Sequence, residues 1–248
     1  MFTVADRKRV RDLLLARARA DEAVVGAAYT GSLATGNEDR WSDTDLVLSV
    51  RGDDVTETLE RWSRWFYAEL DARHHWDLSA PPAVIRVFLL PGWLELDVTF
   101  TPEANFGPRG PQWQTLFGRT RPIQPFAPPD ANTLIGLLWH HALHARVCIQ
   151  RERWWQAQHW IGEMRAHVVE LACARLGHPT SHAKGAHLLP DELTARLEAT
   201  LVTELTAPEL NRALAEALSL VTAELRQSAP ELATRLGPML EELLEGQS

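Results

Sequence analysis

The stretch GSLATGNEDRWSDTDLVLSV, residues 31–50, decides how this chain is read. It joins a Gly-Ser turn, a polar spacer of ten residues (33–42) and an Asp-x-Asp that opens an apolar run. DLVLSV (45–50) has the composition of a buried strand, and Arg51-Gly52-Asp53-Asp54 ends it with turn chemistry. Immediately upstream, AVVGAAYT (23–30) reads as a second short buried strand that runs into Gly31-Ser32. Asp43 and Asp45 are two residues apart at a strand start, so they share a face, roughly 7 Å apart along the chain. Two carboxylates brought to about 4 Å repel by about 4 kcal/mol at an effective dielectric near 20. A cation between them removes that cost. Mg²⁺ suits the position, because it prefers carboxylate oxygens and keeps coordination sites for substrate phosphates. Gly31 lets a backbone approach closely, and Ser32 offers a hydroxyl and an N–H to a triphosphate.

Working outward, Val10, Leu13, Leu14 and Ala18 lie at three- and four-residue spacing, which predicts an opening helix over 5–20. Val55–Ala72 has the same periodicity, with Leu59, Trp62, Trp65, Phe66 and Leu70 available to cover a sheet. Val84–Leu90 and Trp93–Phe100 flank Pro91-Gly92 in the pattern of a hairpin. In the second arm, Glu95 and Asp97 alternate with apolar residues and share a face. If that arm lies beside 45–50, one of the two acids joins the aspartate pair; Asp97 is the first choice and Glu95 the second. Three carboxylates can hold two Mg²⁺ ions about 3.5–4 Å apart.

From Phe106 to Asp130 the chain is rich in Gly and Pro, and the domain boundary is placed there. Asn132–Gln150 and Glu152–Leu176 read as long helices, 177–190 as a loop, and 191–204, 207–226 and 229–245 as amphipathic helices with Pro190, Pro208 and Pro230 near their starts. The expected fold is therefore α+β. A small mixed sheet with flanking helices occupies residues 1–125, and an all-α bundle occupies 126–248.

The Gly-Ser turn, the spacer of about ten residues and the Asp-x-Asp strand together resemble the signature of the DNA polymerase β-type nucleotidyltransferase superfamily. The chain is most similar to its antibiotic branch, the aminoglycoside and lincosamide adenylyltransferases, which also attach a helical domain to a small catalytic sheet. The motif match covers roughly 23–50, with support from Leu94–Phe100. RERWWQAQHWIGEMR and HAKGAHLLP in the second half are similar in style. Thr44 stands where an apolar residue is usual. The resemblance implies that Asp43 and Asp45 bind Mg²⁺. It also implies that the third acid, matched by Asp97, binds metal or takes the acceptor's proton. NTP, with ATP expected, would rest on Gly31-Ser32, and its nucleoside monophosphate would pass to a hydroxyl of a small-molecule acceptor held mainly by the helical half. The site is expected in the cleft between the halves.

Other residues are weighed against plainer roles. Glu163 is a candidate acceptor-binding group or base, set against a solvated helix acid. Arg165 and Lys184 are candidate phosphate contacts; Lys184 is notable because Lys8 is the only other lysine. His140 and His144 are four apart with His141 beside them, a metal-ligand spacing, but no HExxH and no third ligand accompany them, so they read as polar lining. Trp139, Trp154, Trp155 and Trp160 read as core aromatics. Arg153 and His159 have five residues between them, as in the Arg-x₄₋₆-His of HEPN-type bundles, which keeps a protein-adenylylating toxin–antitoxin enzyme as one alternative. A nucleotide-sensing module without turnover is another.

Composition sets the outer limits. A net charge of −8 and the absence of a basic run argue against nucleic acid as the main partner. No run of about 18 apolar residues exists to span a membrane, and the N-terminal residues lack a secretory apolar core. Cys148 and Cys173, without metal-ligand spacing, read as buried reduced thiols. The expectation is a cytoplasmic protein, with a homodimer possible through the apolar faces of the helical half.

Overall fold

The computed structural model describes residues 1–125, 127 and 129–245, the side chains of 244 and 245 excepted. The chain divides into two compact units, Met1–Phe126 and Ala127–Ser248.

The first unit opens with α1 (Val4–Ala20), which a capping box starts: Thr3 accepts from the Asp6 N–H, and the Asp6 carboxylate accepts from the Thr3 N–H. Val10, Leu14 and Ala18 are buried, four residues apart. Leu13 instead turns outward and is 41% exposed. The chain continues through β1 (Val24–Thr30), a single helical turn α2 (Gly31–Ala34), β2 (Thr44–Val50) and α3 (Thr56–Glu69). There follow β3 (His74–Ala80), β4 (Ala83–Leu90), β5 (Leu94–Pro102) and β6 (Trp113–Phe117). The six strands form one mixed sheet in the order β3-β4-β5-β2-β1-β6. Only β2 and β5 run parallel among these neighbours; the other four pairings are antiparallel. The β4–β5 hairpin turns at Pro91–Trp93, where Gly92 has φ 75°.

Strand alternation gives this sheet two chemically different faces. Leu46, Leu48, Phe88, Leu96, Val98 and Phe100 point to the face covered by α1 and α3, where they pack with Leu14, Leu59, Trp62 and Phe66. Phe66 stacks on Phe88 with ring centroids 3.9 Å apart. Each such large side chain, buried fully, contributes about 1.5–3 kcal/mol. The Trp62 indole N–H is satisfied by Asp21 at 2.8 Å, which also accepts from Arg61. Residues at the intervening positions, Asp45, Val47 and Ser49 on β2 and Asp97 and Thr99 on β5, lie on the opposite face.

Two strands go beyond what the sequence signals. β3, HHWDLSA, lacks an alternating apolar pattern because it is an edge strand, mostly exposed. β6 lies inside the Gly/Pro-rich segment read as linker. It is short, forms the other edge, and pairs with β1 over Ala27–Thr30. The boundary segment is thus partly sheet.

The second unit contains α4 (Ala131–Gln150), α5 (Trp154–Leu176), α6 (Asp191–Ala199), α7 (Ala207–Ser228) and α8 (Pro230–Glu245), and no strand among the described residues. Asp130 caps α4 by accepting from the Asn132 and Thr133 N–H groups. Gly177, in the left-handed region at φ 72°, ends α5. Leu138, Ile161, Met164, Leu214, Leu218 and Val221 are core residues of this unit. Glu224 of α7, 2% exposed, accepts two bonds from Arg175 of α5, Nε at 2.7 Å and Nη2 at 2.9 Å. Cys148 and Cys173 are buried free thiols. No helix among the described residues is long and apolar enough to cross a membrane.

Candidate active site

The parallel pairing of β2 with β5 builds the site. Its register sets Asp45 opposite Asp97 and Thr44 opposite Leu96. Asp43 and Glu95 each lie two residues earlier, so they fall on the same face as that pair. Carboxylate oxygens of Asp43, Glu95 and Asp97 all come within 4.8 Å of one another. Asp43 and Glu95 are exposed and Asp97 is half-buried, so the cluster opens to solvent. Among the described residues no other group of three or more His, Cys, Asp or Glu side chains has this geometry.

The choice between Asp97 and Glu95 posed by the sequence is therefore not an alternative: both join Asp43. The reason is geometric, since two-residue alternation repeats on both strands of a parallel pair. Asp45 takes a different place. Its carboxylate lies against Gly31, where a β-carbon would overlap one of its oxygens. Gly31 has φ +66°, which L-residues rarely adopt. Glycine is thus needed twice at this turn, for its conformation and for the room it leaves Asp45. Ser32, half-buried, follows in α2.

The loop leading to Asp43 is held from α1. Arg7, 1% exposed, donates from Nη1 to the Ser42 carbonyl, and its Nη2 lies 3.6 Å from Glu38. Arg11 donates to the same Glu38 carboxylate. Within the loop, Asp39 accepts from the Trp41 N–H at 2.8 Å and the Ser42 hydroxyl at 3.1 Å. Hydrogen bonds from Trp41 and Ser42 hold the Asp39 carboxyl below the usual carboxylate range. The spacer between Gly-Ser and Asp-x-Asp, which has no regular structure beyond α2, is thus tied down by a buried arginine.

A hard divalent cation fits this donor set. Three carboxylates converge at the end of two parallel strands, and oxygen donors of this kind suit Mg²⁺ or a similar ion.

Three other residues singled out from sequence lie in the second unit. Glu163 is half-buried on α5. Arg165, on the same helix, donates from Nη1 to the carbonyl and hydroxyl oxygens of Thr200, both at 3.2 Å, and so closes the end of α6. Burial lowers its pKa from the ordinary arginine value. Lys184 is exposed in the loop between α5 and α6. Arg153 and His159 are both exposed, at the start and second turn of α5.

The histidines gather around Trp160. The rings of His140 and His144 are 4.3 Å apart, and His141, 5% exposed, lies 4.9 Å from Trp160 and 5.2 Å from His167. Burial first, then the neighbouring His167 and His140, lowers the His141 pKa from 6.5. The unfolded chain therefore takes up this proton before the folded chain does. Stability is full above about pH 6.5 and declines as the pH falls from there toward the lowered folded value, by at most about 1.4 kcal/mol per pH unit for one proton. His141→Phe is expected to flatten that slope, as read from urea midpoints between pH 7.5 and 5.5.

No family model matches the chain, and no curated protein matches it. Among solved structures it is similar to an aminoglycoside 6-adenyltransferase from Bacillus subtilis, at 13% identity and a TM-score of 0.41, over 94% of this chain and 96% of that one. It is also similar to the polymerase core of TRAMP, an RNA surveillance complex, at 15% identity and a TM-score of 0.29. That match covers 86% of this chain and about half, 53%, of the other.

Proposed function

We propose that the chain is a Mg²⁺-dependent nucleotidyltransferase that moves a nucleoside monophosphate, AMP from ATP in the first instance, to a hydroxyl of a small molecule. The observation that carries the reading is the convergence of Asp43, Glu95 and Asp97 beside an Asp45 that lies against the Gly31 turn. Asp43, Asp97 and Glu95 would hold the metal, which when bound neutralises phosphate charge and polarises the α-phosphorus.

The chain's own groups have separable tasks. Gly31 and Ser32 receive the β- and γ-phosphates through close backbone approach, the Ser32 N–H and its hydroxyl. Asp45 keeps the turn and the strand in register. The acceptor oxygen forms the new bond to the α-phosphorus while the bond to the bridging oxygen breaks, and pyrophosphate leaves. A carboxylate of the cluster takes the hydroxyl proton and passes it to solvent. In such chemistry, positioning and electrostatics supply most of the rate. An aminoglycoside-like acceptor is the class we favour, on the sequence resemblance.

The test is pyrophosphate release with ATP, GTP, CTP and UTP plus Mg²⁺ against a panel of aminoglycosides and lincosamides, with Asp43→Ala as control. Acceptor-dependent release that the variant loses supports transfer and identifies both substrates. No release from any pair, with Mg·ATP still bound, sinks the small-molecule reading and favours a protein target or a sensing role.

A further inference from the structure

The carboxylates do not stand alone on their face of the sheet. Cross-strand pairing sets Trp76 opposite Val87, Val87 opposite Asp97, and Asp97 opposite Asp45. This row crosses four strands. Its direction is fixed by the neighbours of Trp76: the His75 ring packs 5.6 Å from Phe88, and Asp77 pairs with Arg86, which reaches Glu60 and Ser63 of α3. His75 and Asp77 therefore belong to the helix-covered face, and Trp76 and Leu78 to the carboxylate face. Trp76 is 53% exposed and Leu78 38%.

On that face β3 and β4 contribute His74, Trp76, Leu78, Ile85, Val87 and Leu89, with no Asp, Glu, Lys or Arg. A largely apolar shelf, with Val87 buried at its centre and Trp76 and Leu78 exposed along β3, thus borders the acid cluster on one side. The Gly31-Ser32 turn, at the end of β1, borders it on the other. Phosphoryl displacement keeps attacking and leaving oxygens roughly in line. With pyrophosphate departing toward Gly31-Ser32, the attacking hydroxyl approaches from the β5 side, and the body of the acceptor extends over β4 and β3.

We propose that Trp76 is the acceptor-stacking and specificity-determining residue of this site, selecting multi-ring hydroxyl compounds that lay the apolar face of a ring on its indole. The inference rests on the nucleotidyltransferase reading above. Its size requirement follows from strand spacing. Trp76 is two strands from Asp97, roughly 10 Å, so an acceptor whose hydroxyl reaches Asp97 needs a second ring to meet the indole. A single sugar or cyclitol falls short. Uncharged ring faces stack on Trp, and an amino group on such a ring gains further from the indole face.

The experiment measures pyrophosphate release with Mg·ATP for wild-type protein, Trp76→Ala and Trp76→Phe. Acceptors are multi-ring aminoglycosides and lincosamides beside the single-ring compounds 2-deoxystreptamine and glucosamine. Trp76→Ala is expected to raise KM for the multi-ring acceptors by about tenfold, with a much smaller effect on kcat. KM for a single-ring compound moves by less than twofold, and Trp76→Phe restores most of the loss. Mg·ATP affinity stays within twofold in both variants. An equal effect on both acceptor sizes, an effect confined to kcat, or no effect overturns the stacking role while leaving transfer intact. A wild-type protein that releases no pyrophosphate with any of these acceptors overturns the small-molecule transfer reading and the stacking role with it.

Discussion

Asp97→Asn is expected to lower nucleotidyl transfer by at least about 10³-fold, while the far-ultraviolet circular dichroism stays that of the wild type. Loss of one preorganised charge-stabilising group in a catalytic centre commonly costs 10²–10³ in rate, and on the proposed reading this substitution also removes a metal ligand. Asp97 is the half-buried member of the cluster, within 4.8 Å of both Asp43 and Glu95. It is also the residue set opposite Asp45. Asparagine keeps the shape of the side chain but not its charge, so a metal bound there would lose an anionic ligand without a cavity appearing. A second readout separates binding from chemistry: the thermal stabilisation by Mg²⁺ expected of the wild type should shrink or vanish in the variant. A variant that keeps both its Mg²⁺ response and more than a tenth of its rate would remove Asp97 from the site.

The largest expected effect on stability lies in the other unit. Arg175→Met leaves Glu224, whose side chain is 1% exposed, without the two bonds of 2.7 and 2.9 Å from the guanidinium. Among the described residues, Ser228, donating at 2.8 Å, remains to it. Only the Glu224 side of the pair is buried, so the cost is at most the about 3–5 kcal/mol of breaking a fully buried pair, because the stranded carboxylate keeps its desolvation penalty. A fall in melting temperature on the order of 10 °C is therefore expected. The double variant Arg175→Met/Glu224→Leu should recover most of it, since apolar groups of similar volume replace such pairs at little cost. A single variant that melts with the wild type would show that the pair does not join α5 to α7 energetically.

Much of the fold was legible because alternation and helical spacing are strong where one face is buried and the other is not. β2 and β4 carry apolar runs, β5 alternates, and α1, α3 and the helices of the second unit carry apolar residues at helical spacing. β3 and β6 escaped for the opposite reason. Edge strands bury little, so HHWDLSA and WQTLF carry no pattern that separates them from loop. The acidic residues were legible through their two-residue spacing, but their assembly was not. Whether Glu95, Asp97 or both would meet Asp43 depended on the register between β2 and β5, a contact between segments about fifty residues apart that no local signal sets. Arg7 was invisible as well. Nothing in VADRKRVRDLL distinguishes the arginine that is buried under the site loop from its exposed neighbours. Trp76 gained its meaning only once the strand order put it in one row with Asp97 and Asp45.

The parallel pairing of β2 and β5 also has a consequence for how the protein is made. On the ribosome, Asp43 and Asp45 emerge several seconds before Glu95 and Asp97, at typical synthesis rates of roughly 5–20 residues per second. In between come α3 and the β3–β4 arm. A nascent chain that stops short of β5 therefore carries half of the acid cluster and none of its geometry. When β5 does arrive, its pairing with β2 brings two more negative charges to the first pair. That closing step works against electrostatic repulsion, so cellular divalent ions should hasten it, and a chelator should slow refolding of the purified chain at the same point.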